Sequence, residues 1–466
     1  MMHRIRKSMW RIALCLAATF VCSPAEAVIQ VDIRRAEGIV KPVNGVGQGP
    51  SMGLTNFSMF KYLGQAGIPY CRLHDVGGSF GMNVFVDIPN VFRDFDADEN
   101  DPENYDFTFT DLYLKALIDN GVEPYYRLGV TIENAAKTKA YRIHPPKDYS
   151  KWARICEHII RHYTEGWANG YEWNITHWEI WNEPENSGPD PKNNQMWTGT
   201  WQQFMDFYAT AATYLKKQFP HLKIGGYGSC GFYADTSIRF EHKEPNPAYK
   251  YYIDCFEQFL AYARDNHLPL DFCSMHSYAT VFGASEHVKY CRRKLDEYGF
   301  KDTEIDVNEW LPSPKLELIG TAKQAAMLGA ELVMLQNSAA TSAMLYDARI
   351  DAPNAYAPLW NANTMEPYKA YSAFLMFNEL RKLGKSTPLQ GVPSDLWATA
   401  ATDGQGHGAI MLSNITGKTV PLVLTTAGGV CTEAVIVDEE HNMDVVPMPT
   451  EMKPNTLLLL RLNAGE

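Results

Sequence analysis

Two glutamates of this chain close apolar, aromatic stretches, and both are placed to do chemistry. Glu183 ends the run His177-Trp178-Glu179-Ile180-Trp181-Asn182-Glu183-Pro184, and Glu309 ends Glu304-Ile305-Asp306-Val307-Asn308-Glu309 just before Trp310. An apolar run cut short by a turn signal is the pattern of a fully buried parallel strand. A carboxylate at the exit of such a strand sits at the C-terminal rim of the sheet, where barrel enzymes keep their chemistry. Two carboxyls across one bond can hydrolyse a glycoside, one protonating the departing oxygen and the other attacking the anomeric carbon. Retaining enzymes hold such a pair about 5 Å apart, a span that the mouth of a barrel supplies. Glu179, Glu304 and Asp306 lie deeper in the same strands. Depth counts against them, because substrate reaches only the rim.

Other strand ends point to the same pocket. Arg72 and His74 share a face of one predicted strand by period two, and His276 and Tyr278 share a face of another. A buried Arg beside an attacking carboxylate keeps it ionised, while a Tyr hydroxyl can hold its second oxygen. The negative charge of Glu309 and partial burial predict that Glu183 titrates above the ordinary glutamate range. Trp360, in the loop after the last strand, is expected either to stack on a sugar ring or to cover the barrel end.

Positioning these residues takes a repeated strand-helix pattern. Strands are predicted near Val43–Gly47, Tyr70–His74, Glu123–Val130, Thr176–Asn182, Lys223–Gly228, Phe272–Tyr278, Glu304–Glu309 and Ala343–Tyr346. Helical spacing marks Ser58–Gln65, Thr110–Asn120, Ser150–Tyr163, Gln202–Gln218, Lys250–Asn266, Ser285–Tyr298, Lys323–Asn337 and Tyr368–Leu380. Short apolar strands alternating with helices mean a parallel sheet, and eight such pairs make an α/β fold, a (β/α)8 TIM barrel, over residues 43–384. After Gly384 the helical pattern stops. Leu396–Ala400, Ala409–Leu412, Val420–Leu424, Ala434–Val437 and Leu457–Leu460 read as strands between Gly, Pro and Asn, so residues 385–466 are predicted as a C-terminal β-sandwich. Val28–Arg34, in segment 28–42, alternates apolar and polar residues and is expected to complete that sandwich.

Residues 1–27 read as a signal peptide. Arg4, Arg6, Lys7 and Arg11 form a basic head, Ile12 to Cys22 an apolar middle, and Ala25-Glu26-Ala27 a small-residue cleavage site. The apolar run is too short for a stable membrane span, so a secreted or periplasmic product is expected. Without that segment 38 cationic side chains remain against 53 acidic ones, a net charge of −15. So acidic a surface repels phosphate backbones, which excludes nucleic acid as a partner. Cys71, Cys156, Cys230, Cys255, Cys273, Cys291 and Cys431 remain, an odd number scattered through predicted elements, as small buried side chains would be.

Two tempting motifs fall short of their patterns. Gly47-Gln48-Gly49-Pro50-Ser51-Met52-Gly53 departs from a dinucleotide loop by one position, and Pro50 occupies the turn. His158 and His162 lie four apart on a helix, but no Glu follows His158 as a zinc protease requires. Sequons stand at Asn56, Asn174 and Asn414.

The chain resembles glycoside hydrolase family 39, the β-xylosidase and α-L-iduronidase family, across most of the barrel. The segments that carry the likeness are Cys71-Arg72-Leu73-His74, Pro145-Pro146-Lys147-Asp148-Tyr149-Ser150-Lys151-Trp152, Glu179-Ile180-Trp181-Asn182-Glu183-Pro184, Asp271-Phe272-Cys273-Ser274-Met275-His276-Ser277-Tyr278 and Val307-Asn308-Glu309-Trp310. Asn-Glu-Pro alone indicates only the wider clan of retaining barrel glycosidases. The resemblance implies Glu183 as acid/base and Glu309 as nucleophile, with Asn182 on the sugar 2-hydroxyl and His74, His276 and Tyr278 lining the first subsite. It further implies a retaining exo-glycosidase, first of all a β-xylosidase, acting on an oligosaccharide or glycoside with no metal and no cofactor. Galactosides, arabinosides, uronides and endo-acting cleavage stay open under the same mechanism, as does carbohydrate binding by a decayed barrel. Arg127-Leu128-Gly129-Val130-Thr131-Ile132-Glu133 and Asp75-Val76-Gly77-Gly78 depart from the typical xylosidase pattern where substrate would be read.

Overall fold

The computed structural model describes residues 28–50, 59–76, 85–132, 143–190, 192–233, 247–312, 315–349, 359–361 and 363–465. The expected signal peptide, the Asn56 sequon, Glu133, the Gly77-Gly78 pair and residues 51–53 of the glycine-rich stretch lie outside them. Two strands, β1 (Val28–Asp32) and β2 (Gly38–Ile39), precede a closed parallel barrel. Its strands are β3 (Gly45–Gly47), β4 (Tyr70–Arg72), β5 (Glu123–Leu128), β6 (His177–Ile180), β7 (Lys223–Ser229), β8 (Phe272–Ser277), β9 (Glu304–Trp310) and β10 (Ser342–Leu345). Each pairs in parallel with its sequence neighbour, and β10 returns to β3 to close the ring. The strands expected from the sequence are these eight. Most ends are trimmed by a few residues, because the rim positions turn away into loops and no longer pair.

The helices are α1 (Phe60–Gln65), α2 (Ile88–Val91), α3 (Thr108–Asp119), α4 (Tyr149–Thr164), α5 (Trp201–Gln218), α6 (Pro247–Asp265), α7 (Val281–Glu297), α8 (Ala322–Gln336) and α9 (Lys369–Leu383). Their starts are written in capping residues. Asp148, Thr280 and Thr321 accept from Lys151 N, Gly283 N and Gln324 N, and Thr200 forms a reciprocal capping box with Gln203. Each cap satisfies a backbone N–H with no partner inside the helix, worth about 1 kcal/mol. Helix α4 buries Trp152, Ile155, Cys156, Ile159, Ile160 and Tyr163 at three-to-four spacing, and Trp152 meets Phe207 of α5 edge-on at 4.7 Å. Burying each large apolar side chain contributes roughly 1.5–3 kcal/mol. The opposite face is closed by Arg161 pairing with Glu157 and Glu165.

The C-terminal strands are β11 (Lys385–Thr387), β12 (Leu389–Gln390), β13 (Trp397–Thr402), β14 (His407–Asn414), β15 (Val420–Pro421), β16 (Val423–Ala427), β17 (Val430–Val437), β18 (Asn442–Val446), β19 (Glu451–Met452) and β20 (Thr456–Asn463). An antiparallel seven-stranded sheet runs β18-β17-β20-β14-β13-β11-β2, a three-stranded sheet runs β12-β1-β16, and β15 pairs with β19. Period two divides the large sheet between two cores. Ile410, Leu412, Leu458, Leu460 and Leu462 share a core with Ile29 and Val31 of the small sheet and Ile33 just after β1, so the N-terminal strand is part of the sandwich. Ala409, Met411, Leu457 and Leu459 face the barrel core. There Gly329 of α8 lies so close to Leu457 that an added Cβ would come to 2.4 Å, and Asn337 Nδ2 donates to Ala398 O at 2.9 Å. Asn414 is buried with its Nδ2 donating to the carbonyls of Lys418, Met452 and Lys453, so that sequon is a structural asparagine here. All seven cysteines from Cys71 to Cys431 are free thiols, six of them buried.

Candidate active site

The backbone beyond β6 is bent to present Glu183. Trp181 and Glu183 both take positive φ, 70° and 40°, a conformation costing side-chain-bearing residues on the order of 1–3 kcal/mol each. Burial holds the bend in place. Trp181 is buried with its Nε1 donating to Met196 O at 3.0 Å, and its ring meets Trp197 edge-on. Glu183 N donates to Gly228 O, tying the turn to β7. Asn186 Nδ2 donates to Glu183 Oε2 at 2.5 Å, so the motif Asn-Glu-Pro is continued by a further asparagine that braces the carboxylate.

Across the mouth, Glu309 is gripped at both oxygens. Arg72 NH1 donates to Oε1 at 2.7 Å and Tyr278 OH donates to Oε2 at 2.5 Å. His276 stands between the two glutamates, with Nδ1 2.7 Å from Glu183 Oε1 and 3.4 Å from Glu309 Oε2. One oxygen of each glutamate and one His276 nitrogen lie within 4.8 Å of one another. These three atoms are also a donor set that a divalent cation could use. Glu309 already holds Arg72 and Tyr278, and Glu183 holds His276 and Asn186.

Beneath this layer Glu179 anchors the arginine. It is buried, takes Arg72 NE at 2.7 Å on Oε2, and accepts from Ser274 Oγ and Asn308 Nδ2 at 2.6 Å each on Oε1. Arg72 NH2 donates to Asn182 Oδ1 at 2.6 Å, which fixes the orientation of that amide. Arg72 therefore spans three acceptors. Burial works against its charge, but Glu179 and Glu309 more than offset this and hold it above its usual value. Gly228, at φ 65°, leaves room for the cluster: a Cβ there would come 3.1 to 3.3 Å from Asn182, Arg72 and Glu179.

The expectation for Glu183 is corrected by its surroundings. Burial pushes its carboxyl up, but His276, Asn186 and the Cys230 thiol together bring it below its usual value. His276 moves the opposite way: burial lowers it, yet the charges of Glu309 and Glu183 raise it overall. The two shifts have one cause, the short contact between an imidazole and a carboxylate inside a barrel. Reading Glu183 against Glu309 alone omitted that imidazole.

Of the residues singled out in the sequence, Arg72, Asn182, Glu183, His276, Tyr278 and Glu309 meet at one point. His74 sits to one side, buried, its Nε2 3.2 Å from Asp75 Oδ1, and burial holds it well below the ordinary histidine range, hence neutral. Trp360 takes no part. It is buried, donates Nε1 to Ala348 O at 2.7 Å and stacks on Tyr62, so its ring has no free face for a sugar and it serves as packing. Sequence reading missed Glu185, a buried carboxyl that accepts from Ser229 Oγ and Cys230 N and is pushed by burial up to about 7. It also passed over Asp75, which accepts from Tyr346 OH at 3.1 Å and is raised by burial to about 6. Asp75 lies in one of the segments that depart from the xylosidase pattern, which was the available signal.

A closed parallel barrel carrying two glutamates at its mouth, one following β6 and one on β9, is the architecture of the barrel glycoside hydrolases. The family model for glycosyl hydrolases family 39 matches residues 63–312, and the chain belongs to that family. Among curated proteins it is similar to a β-xylosidase of Geobacillus stearothermophilus, 24% identical over 239 residues, covering 49% of this chain and 40% of that protein. A β-xylosidase of Caldicellulosiruptor saccharolyticus is 27% identical over 201 residues, covering 41% and 35%. The matched region thus spans less than half the length of these relatives. A glucosidase from Croceicoccus marinus superposes with a TM-score of 0.73 at 19% identity, covering 95% of this chain and 100% of that one. A family 39 β-xylosidase from Caulobacter crescentus gives 0.67 at 18%, covering 94% and 99%. Both structures share the fold of this chain.

Proposed function

We propose that the protein is an exported, retaining exo-glycosidase that releases a single sugar, with a β-xyloside as the first substrate to try. One observation carries the mechanism: Glu183 and Glu309 bring carboxylate oxygens within 4.8 Å of each other. Retaining enzymes hold their carboxyls about 5–5.5 Å apart, whereas inverting enzymes need about 6.5–9.5 Å to admit a water. The surroundings of the two carboxylates support one division of roles. Glu309, held by Arg72 and Tyr278, is the oriented anion that attacks the anomeric carbon. Glu183 protonates the departing oxygen and then activates the water that frees the sugar. Asn182 has its Oδ1 occupied by Arg72, which leaves its Nδ2 to donate to the sugar 2-hydroxyl.

The names of the curated relatives support xylose. The basic head, apolar middle and Ala25-Glu26-Ala27 site of residues 1–27 support export. Among the described residues no helix is long and apolar enough to cross a membrane. The test is a panel of nitrophenyl β-xyloside, β-glucoside, β-galactoside and α-arabinofuranoside, with wild type beside Glu309→Gln. Hydrolysis by wild type, retained anomeric configuration in the first product and loss of turnover in the variant are expected. A wild type that hydrolyses none of them, while sugars still raise its Tm, would make it a binding protein.

A further inference from the structure

We propose that His276 stores the proton that Glu183 delivers, a role that rests on the glycosidase reading above. The need for such a store arises from the resting site. Glu183 is held as an anion by three donors, His276 Nδ1, Asn186 Nδ2 and the Cys230 thiol, yet it must carry a proton when the glycosidic bond breaks. An amide has no proton to give at any working pH. The Cys230 thiol, in a buried setting among carboxylates, holds its proton far more tightly than a free thiol does. The imidazole is the remaining source, and its Nδ1 is already 2.7 Å from the oxygen that needs the proton.

The groups facing His276 set the balance. Glu183 after β6 and Glu309 on β9 favour the imidazolium, while Arg72 on β4 and burial oppose it. His74 after β4, Tyr278 beyond β8, and Cys230 and Tyr233 beyond β7 are the other titratable groups nearby, all neutral. Nε2 is buried without a hydrogen-bond partner among the described residues, so the far side of the ring does nothing to hold the charge. The imidazolium therefore depends on two carboxylates, and one of them is consumed by the reaction.

The steps balance. As the Glu309 oxygen bonds to the anomeric carbon, its negative charge, 3.4 Å from Nδ1, passes into a neutral ester. The imidazolium loses an anion at that moment and releases the Nδ1 proton to Glu183 Oε1, which hands it to the departing oxygen as the glycosidic bond breaks. An alcohol leaves, with neutral His276, ionised Glu183 and the ester behind. In the second half Glu183 takes a proton from water, whose oxygen attacks the anomeric carbon and restores the Glu309 carboxylate. The two anions then draw the proton from Glu183 back to His276. This makes His276 a positioning residue that acts through Glu183.

His276→Asn keeps a short polar side chain but cannot store a proton. In kcat/KM against pH its alkaline limb should fall by about one pH unit or more. Alkyl glycosides should lose about 100-fold or more, and dinitrophenyl glycosides, which need no proton, only about threefold. An unmoved limb, or equal losses for both leaving groups, overturns the store while leaving the glycosidase reading intact, since Glu309→Gln tests that separately. A wild type without hydrolysis overturns both. Should the variant fail to fold, nitrogen NMR of wild-type histidines decides, before and after a 2-fluoro glycoside traps the ester on Glu309. One imidazolium becoming neutral at constant pH is expected; unchanged protonation of every histidine refutes the proposal.

Discussion

The barrel holds two histidines that each stand between two glutamates, one at either end. His276 lies at the C-terminal mouth between Glu183 and Glu309. His177 opens β6 at the other end, 3.8 Å from Glu123 and 3.9 Å from Glu304, and those two residues open β5 and β9. The difference lies in how closely each histidine meets its carboxylates. At the lower end Lys223 pairs with Glu304, Thr176 donates to Glu123, and the His177 ring stacks on Tyr125 at 5.1 Å. Every charge there has a partner besides the histidine. At the mouth the carboxylates are partnered as well, Glu309 by Arg72 and Glu183 by Asn186, but His276 Nδ1 comes within 2.7 Å of Glu183. A histidine held 3.8–3.9 Å from its carboxylates can balance their charge, whereas one hydrogen-bonded to a carboxylate at the rim can also exchange a proton with it.

The largest effect that comparison predicts belongs to Glu309→Gln. Turnover should fall by roughly 10^4-fold or more, as for removal of a nucleophile, with a stability loss no larger than that for Glu179→Gln. Arg72 keeps Glu179 as its counter-ion in that variant, so no charge is left alone. A comparable turnover loss from His177→Gln at the lower end would break the division between the two ends.

Next in size is Glu179→Gln. It leaves Arg72 with one carboxylate, in a site where Ser274 and Asn308 are both oriented to an anion. Removing one partner of a buried pair costs about 3–5 kcal/mol, so chemical denaturation should show a loss of that order. Activity should fall too, because Arg72 orients both Glu309 and Asn182. Stability loss with normal kcat/KM would show that the arginine holds its place without Glu179.

His177→Gln should cost stability in a pH-dependent way. Burial disfavours the His177 cation, but Glu123 and Glu304 raise it from 6.5 to about 9. A group raised on folding contributes stability that is fully present below its unfolded value, near pH 6.5, and is lost as pH rises through about 9. The variant should therefore be less stable than wild type by roughly 3 kcal/mol at pH 6, with the gap narrowing towards pH 10. Urea unfolding at both pH values measures it, and a gap that widens with pH would reverse the reading.

The same contrast explains what the sequence made legible. Strand alternation and eight strand-helix pairs gave the barrel, and the abrupt ends of His177–Pro184 and Glu304–Trp310 pointed to Glu183 and Glu309, because burial writes itself into local pattern. The edge strand β18 went unseen since Asn442–Val446 is short, mixes Asn and Asp with Met and Val, and buries none of its residues, so no apolar run marks it. Trp360 read equally as a sugar platform or a cover over the barrel end, because local sequence does not say what an aromatic in a loop packs against, and here it packs against Tyr62 and Tyr371. The direction of the Glu183 shift was hidden for another reason. It depends on a 2.7 Å contact with a residue 93 positions away, which no local pattern encodes.

The smallest prediction bears on the neutral donors at the mouth. Cys230→Ala removes the thiol that helps hold Glu183 ionised, and leaves His276 and Asn186 in place. A neutral donor to a carboxylate contributes about 1 kcal/mol, which corresponds to less than one pH unit. With that donor gone the Glu183 anion relies more on the imidazolium, so the pair holds its shared proton slightly more tightly and the alkaline limb of kcat/KM should move up by a few tenths of a pH unit. Cys230→Ser should leave it nearer wild type, a hydroxyl standing in for the thiol. A downward shift in the alanine variant would mean that the thiol stabilises the protonated acid, and the mouth would then differ from the lower end in sign as well as in degree.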